Sequence, residues 1–88
     1  MDGVILSLDY DKTYTNDPAF WNAFVALSKD RGHSVVCVTM RRPDEAVTMP
    51  CPVIYTSRKA KAAHVADIGL TIDVWIDDAP HWINEDGA

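Results

Sequence analysis

Long apolar runs are missing: nowhere do the 88 residues approach the roughly 18 consecutive apolar positions that a membrane-spanning helix needs. The amino terminus also lacks a basic segment leading into an apolar one, so no export signal is expected and the chain reads as a soluble, cytoplasmic protein. Cysteine is scarce. Cys37 lies in an apolar run and Cys51 between two prolines, without the Cys-x-x-Cys or Cys/His spacing of a zinc site, which leaves two reduced thiols. Positive charge is in short supply as well: 8 Lys and Arg against 13 Asp and Glu give a formal net charge of -5. This balance excludes a broad basic surface that grips nucleic acid or anionic lipid through counterion release, so nucleic acid enters only as a substrate end held locally. Repeats, low-complexity tracts and linkers are absent, and the length suits one small domain spanning 1–88.

What is present is a regular alternation. Val4 to Leu8 is a short apolar, partly β-branched run, as expected of a strand buried on both faces of a parallel sheet. Asn16 or Asp17 can cap a helix over about 18–31, with Pro18 at its first position, Phe20, Phe24 and Leu27 at helical spacing and Gly32 as its stop. Ser34 to Thr39 reads as a second strand, and RRPDEA after it as the start of a short helix. Val53 to Thr56 follows as a third strand, then a helix capped by Ser57 and ended by Gly69, then a fourth strand over Ile72 to Ile76. Such βα alternation predicts an α/β fold: a single three-layer domain with a small parallel sheet of about four strands and right-handed crossovers. The tail NEDGA, residues 84–88, is expected to fray.

The chemistry lies at strand ends. Asp9 and Asp11 are two residues apart at the tip of the first strand, a spacing that in extended chain sends both to one side. Asp77 and Asp78 end the fourth, and Thr39 ends the second. Open α/β sheets bind ligands outside the carboxyl ends of their strands, where the winding reverses, and that crevice falls between strands one and four if the fourth returns to the free side of the first. Carboxylates converging there repel one another unless a cation joins them. Mg2+ is the simplest candidate, because it takes oxygen ligands and is commonly shared between a few carboxylates and a substrate phosphate.

With those residues in place, the chain resembles the haloacid dehalogenase superfamily of phosphatases. DYDKT at 9–13 looks like its DxDxT signature, SVVCVT like its second strand ending in Thr or Ser, SRKAKAAHV like the helix bearing its lysine, and VWIDD like its acidic fourth motif. The resemblance covers residues 4 to about 80 and implies a Rossmann-like core without a cap domain. It further implies a Mg2+-dependent phosphomonoester hydrolase in which Asp9 is the nucleophile and forms an aspartyl-phosphate, and Asp11 is the general acid and base. Thr39 would donate to a phosphoryl oxygen, and Lys61, or Lys59 nearer the helix start, would offset charge on the transferring group. Asp9, Asp11 through its backbone carbonyl, Asp77 and Asp78 make up the implied metal set.

Other residues have plainer roles beside functional ones. Arg41 suits a substrate phosphate, as does Tyr10 if it turns toward the substrate, although exposed arginines are commonly a solvated face. Trp21, Trp75 and Trp82 read as core or core edge, His81 as surface or packing, and Cys37 as a small buried apolar residue. A capless site is open to water, so it admits a bulky phosphorylated substrate, such as a nucleic-acid 3'-phosphate end, a nucleotide or a phosphoprotein, or takes its cover from a partner subunit. The edge of strand four, with little chain after it, offers a homodimer contact. Two competing functions keep the same fold: a binding or regulatory module that holds a phosphorylated ligand without turnover, and a receiver-like phosphoacceptor. The latter fits worst, since the second strand carries no acid.

Overall fold

The apolar runs become four short strands in the computed structural model, which describes residues 3–88: β1 (Ile5–Leu8), β2 (Ser34–Thr39), β3 (Val53–Tyr55) and β4 (Val74–Ile76). Among the described residues they form one sheet, ordered β3-β2-β1-β4, with every neighbouring pair parallel. The chain thus winds outward from β1 through β2 to β3 and then crosses to the free side of β1. Leu6, Ser7 and Leu8 stand opposite Val74, Trp75 and Ile76, and the Asp9 N–H donates to the Ile76 carbonyl at 3.0 Å. The reversal of winding therefore falls between β1 and β4, which carry the acidic tips.

Two helices complete the α/β fold. Helix α1 spans Pro18–Asp30, with Asp17 as its N-cap: the carboxylate accepts from the Phe20 N–H at 3.2 Å, and Pro18 fits the first helical position, where no amide partner is needed. Helix α2 spans Lys61–Asp67 and ends at Gly69, whose φ of +81° is open to glycine at no steric cost. Because parallel crossovers are right-handed and the chain reverses direction at β1, the two helices lie on opposite faces of the sheet. Leu6, Leu8, Val25, Val35, Cys37 and Cys51 form one buried cluster, with Trp21, Phe24, Met49 and Ile76 packed against it. No helix of the described residues is long and apolar enough to cross a membrane.

Three expectations are corrected. Of the three residues at helical spacing in α1, only Phe24 packs against the core: Phe20 and Leu27 are exposed, while Val25 and Ser28 are buried beside the half-buried Trp21 and Phe24. The small Ser28 satisfies its hydroxyl on the Phe24 carbonyl at 2.8 Å, which lets a polar residue occupy the core face. RRPDEA yields only the 3-10 turn Pro43–Glu45, since Pro50 and Pro52 stiffen the chain soon afterwards and no apolar stripe exists to bury. Ser57 does not cap α2. It and Arg58 have φ of +53° and +72°, and helical geometry starts only after Ala60.

The expected fraying of 84–88 gives way to a docked strap. The Asp86 carboxylate accepts from the Ala60 N–H at 2.7 Å, and the Gly87 N–H donates to the Arg58 carbonyl at 2.6 Å. Asp86→Ala should therefore cost about 1 kcal/mol in chemical denaturation and speed hydrogen exchange at the Ala60 and Gly87 amides. Unchanged exchange at both amides would show that the strap is held by something else.

Candidate active site

At the end of β1 the chain leaves extended geometry at once. The Tyr14 and Thr15 N–H groups donate to the Asp9 and Tyr10 carbonyls at 3.2 and 3.1 Å, and Lys12 takes φ +64° with its amide on the Thr15 hydroxyl at 2.9 Å. This turn separates the two acids that strand periodicity had placed together. Asp9 is buried, 7% exposed, and faces inward; Asp11 is exposed and lies over the next loop.

Lys61, the first residue of α2, reaches under the sheet end with its side chain almost wholly buried. Its ammonium donates to Asp9 Oδ1 at 2.8 Å and to Asp77 Oδ2 at 2.5 Å, joining the tips of β1 and β4. The remaining oxygens are engaged as well. Asp77 Oδ1 accepts from the Ala79 N–H at 3.0 Å, and the Thr13 hydroxyl lies 3.3 Å from Asp9 Oδ2 and 3.1 Å from Asp78 Oδ1. A hydroxyl has one proton, so it serves one of the two carboxylates at a time.

The ammonium touches two carboxylates, Asp9 and Asp77, and Asp78 adds a third negative charge beside them, so the site is short of positive charge. Burial pushes Asp9 up to about 7 despite Lys61, with its hydrogen bond to Asp78 and the charge of Asp77 acting in the same direction. Burial acts oppositely on Lys61, but its bonds to Asp77 and Asp9 win and hold its pKa above the usual value, so it stays charged. Partial burial also opposes ionisation of Asp78, yet hydrogen bonds from the Asp9 side and from Thr13 hold it below the ordinary carboxylate range. Carboxylate oxygens of Asp9, Asp77 and Asp78 lie within 4.8 Å of one another, a spacing and donor type that fit a hard divalent cation.

Asp11 contributes no carboxylate to that group. Its Oδ1 and Oδ2 accept from Arg41 Nη2 at 2.8 Å and Nε at 3.0 Å, a bidentate pair whose guanidinium lies 5.3 Å from the centre of the Tyr10 ring. The Arg41 hydrogen bonds hold Asp11 below the usual carboxylate range. Thr39 is buried at the end of β2, and its hydroxyl oxygen accepts from the Arg41 N–H at 3.3 Å, which leaves its proton free to donate.

A cleft of about 430 Å³ opens over these groups, lined by Asp9, Asp11, Thr39, Arg41, Lys61, Asp77 and Asp78. Lys59, by contrast, is exposed and outside that lining, and Tyr10 sits beneath Arg41, stacked on Tyr14 at 5.9 Å, rather than in the cleft wall. Sequence reasoning missed Thr13, Met40, Arg58 and Trp82. Thr13 was legible as the last residue of DYDKT. Trp82, expected in the core, instead edges the cleft, because the 3-10 turn Pro80–Ile83 folds back behind Asp78.

A raised Asp9 has a signed consequence for stability. The neutral carboxyl favours the folded state, so that contribution is complete below pH about 4 and is lost as pH rises through about 7. In chelator, the denaturation midpoint should fall across pH 4–7, and Asp9→Asn should flatten that slope; equal slopes in both proteins would contradict the assignment. In comparisons with known proteins, no family model, curated protein or solved structure matched the chain.

Proposed function

We propose that this chain is a phosphomonoester hydrolase dependent on Mg2+ and acting through Asp9. The observation that supports it best is that Lys61 joins the buried Asp9 to Asp77 at the carboxyl ends of two adjacent parallel strands, in a cleft that Thr39 also lines. Asp9, Asp77 and Asp78 would hold the ion. When bound, it supplies the positive charge that keeps Asp9 ionised and offsets charge on the phosphoryl oxygens.

The protein's own groups divide the remaining work. An Asp9 oxygen attacks phosphorus as the ester bond to the leaving oxygen breaks, and Asp11 hands that oxygen a proton. Water then attacks the same phosphorus, the aspartyl-phosphate bond breaks, Asp11 recovers its proton from the water, and inorganic phosphate departs. Lys61 and the Thr39 hydroxyl stand where they can stabilise the transferring group's oxygens. Phosphate release from 4-nitrophenyl phosphate should require Mg2+ and vanish in Asp9→Asn. Turnover surviving in that variant would rule the mechanism out.

One observation favours a second reading, a module that binds a phosphorylated ligand without turning it over. Arg41 fixes the Asp11 carboxylate and holds its pKa down, which opposes its use as an acid at neutral pH. Leaving-group dependence separates the two. For hydrolysis with Asp11 as acid, Asp11→Asn should lower turnover of an alkyl phosphate by about 10²- to 10⁴-fold and that of 4-nitrophenyl phosphate far less, since nitrophenolate leaves without a proton. Magnesium-dependent binding with no phosphate released from either ester would select the binding module.

A further inference from the structure

Beyond the charged floor, the cleft has a wall of different character. Met40, Ala79, Trp82, Gly87 and Ala88 line it, together with Arg41 and Arg58. The polar ends of both arginines are already committed. Arg58 donates to the Met40 carbonyl at 2.8 Å and to Glu45 Oε2 at 3.3 Å, while Arg41 is held by Asp11. What this wall offers a ligand is therefore mainly apolar, with few free donors or acceptors: the Trp82 ring rests against His81 at 4.3 Å and the Arg41 guanidinium against Tyr10 at 5.3 Å.

The wall is also built at a conformational cost. Among the described residues, the non-glycine residues with positive φ are Lys12, Ser57 and Arg58, and all three lie in the two turns that border the cleft. Ser57 and Arg58 are kept there by their N–H groups, which donate to the Arg41 and Met40 carbonyls at 3.2 and 2.9 Å. The Arg58 carbonyl in turn anchors Gly87, which sits so close that an added Cβ would meet the Met40 methyl at 3.1 Å. Strained turns that persist beside a cleft mark it as shaped for use.

We infer that Trp82, Met40 and Arg41, closed on one side by the 86–88 strap, form a leaving-group subsite for a planar aromatic ring. The assignment rests on the proposal that the floor takes the phosphoryl group. The indole and the guanidinium plane supply stacking surfaces. A polyhydroxylated leaving group finds too few partners and has to shed water for nothing in return. The ring can be bonded close to the ester oxygen, as in a benzyl-type ester, or carried at one sugar's distance, as in a nucleoside monophosphate.

Two matched pairs of probes separate these sources: benzyl against n-butyl phosphate, and adenosine 5'-monophosphate against ribose 5-phosphate. In each pair the phosphate and the kind of leaving oxygen are alike, and the ring is the difference. Dissociation constants measured by calorimetry on the unmodified protein with Mg2+, using the non-hydrolysable phosphonate of each probe in which a methylene replaces the leaving oxygen, read binding apart from turnover. At least one aromatic member should bind about tenfold more tightly than its partner. Trp82→Ala should erase that preference while leaving the non-aromatic probe unchanged, and Trp82→Phe should restore most of it. Equal affinities within both pairs, no binding of any probe, or a Trp82→Ala loss shared by both members of a pair would each overturn the subsite. The failures are distinguishable: phosphate release by the unmodified protein without ring preference sinks only the subsite, whereas ring preference without release sinks only the hydrolase.

Discussion

The Lys61 ammonium, shared between Asp9 and Asp77, is the contact on which the rest of the site depends. It joins the tip of the first strand to the tip of the last, and the side chains of both partners are largely buried. Buried ion pairs contribute little net stability, because desolvation offsets attraction, but removing one partner strands the other's charge at a cost of about 3–5 kcal/mol. Lys61 is thus better understood as fixing a geometry than as strengthening the fold. It also leaves the account of charge unbalanced, since Asp78 adds a third carboxylate within reach of the other two. A site with excess negative charge has two ways out, a proton or a cation, and the raised pKa of Asp9 expresses the first of these.

Small size dictates how the surroundings are assembled. Within these 88 residues the cleft walls come from turns: 10–15 after β1, 57–60 before α2, the 3-10 turn at 80–83 and the strap at 86–88. Turns hold shape poorly unless they are tied down, and here the ties cross between them. Asp86 reaches Ala60, Gly87 reaches Arg58, Arg58 reaches Met40 and Glu45, and Arg41 reaches Asp11. Each bond is worth on the order of 1 kcal/mol, but together they give short segments the rigidity that a binding surface requires.

Legibility from sequence followed the range of the forces involved. Parallel strands, their order and the meeting of two acidic tips were readable, since β-branched runs, helix stops and crossover handedness are local rules or near-universal ones. The buried face of α1 was not legible, because Phe20 and Leu27 carry the hydrophobic signal yet are exposed, while Val25 and Ser28 are buried, the latter with its hydroxyl satisfied within the helix. The side-by-side placement of Asp9 and Asp11 failed because period-two geometry stops where the strand stops, and Lys12 takes a left-handed turn that nothing in its side chain advertises. The Arg41 to Asp11 pair, 30 residues apart, and the Asp86 to Ala60 cap, 26 apart, are tertiary events with no local signature. Lys61 over Lys59 was not recoverable from helix position, because Ser57 was read as the cap whereas α2 begins only at Lys61.

The Arg41 to Asp11 pair links the proposed chemistry to the proposed subsite. A general acid held by two hydrogen bonds cannot search for the leaving oxygen, so under the hydrolase reading that oxygen must be brought to it. Placement of the leaving group then falls to the wall opposite the charged floor, where Trp82 and Met40 stand. Arg41 belongs to both sides of this arrangement: its donors fix the Asp11 carboxylate, and the same side chain lines the cleft. Specificity and proton transfer would accordingly share one side chain, and a ligand whose ring displaced Arg41 from Asp11 would release the acid at the moment of binding. In a chain this short such sharing follows from geometry, since the turn that carries the acid and the loop that carries its partner both end at the same 430 Å³ of space.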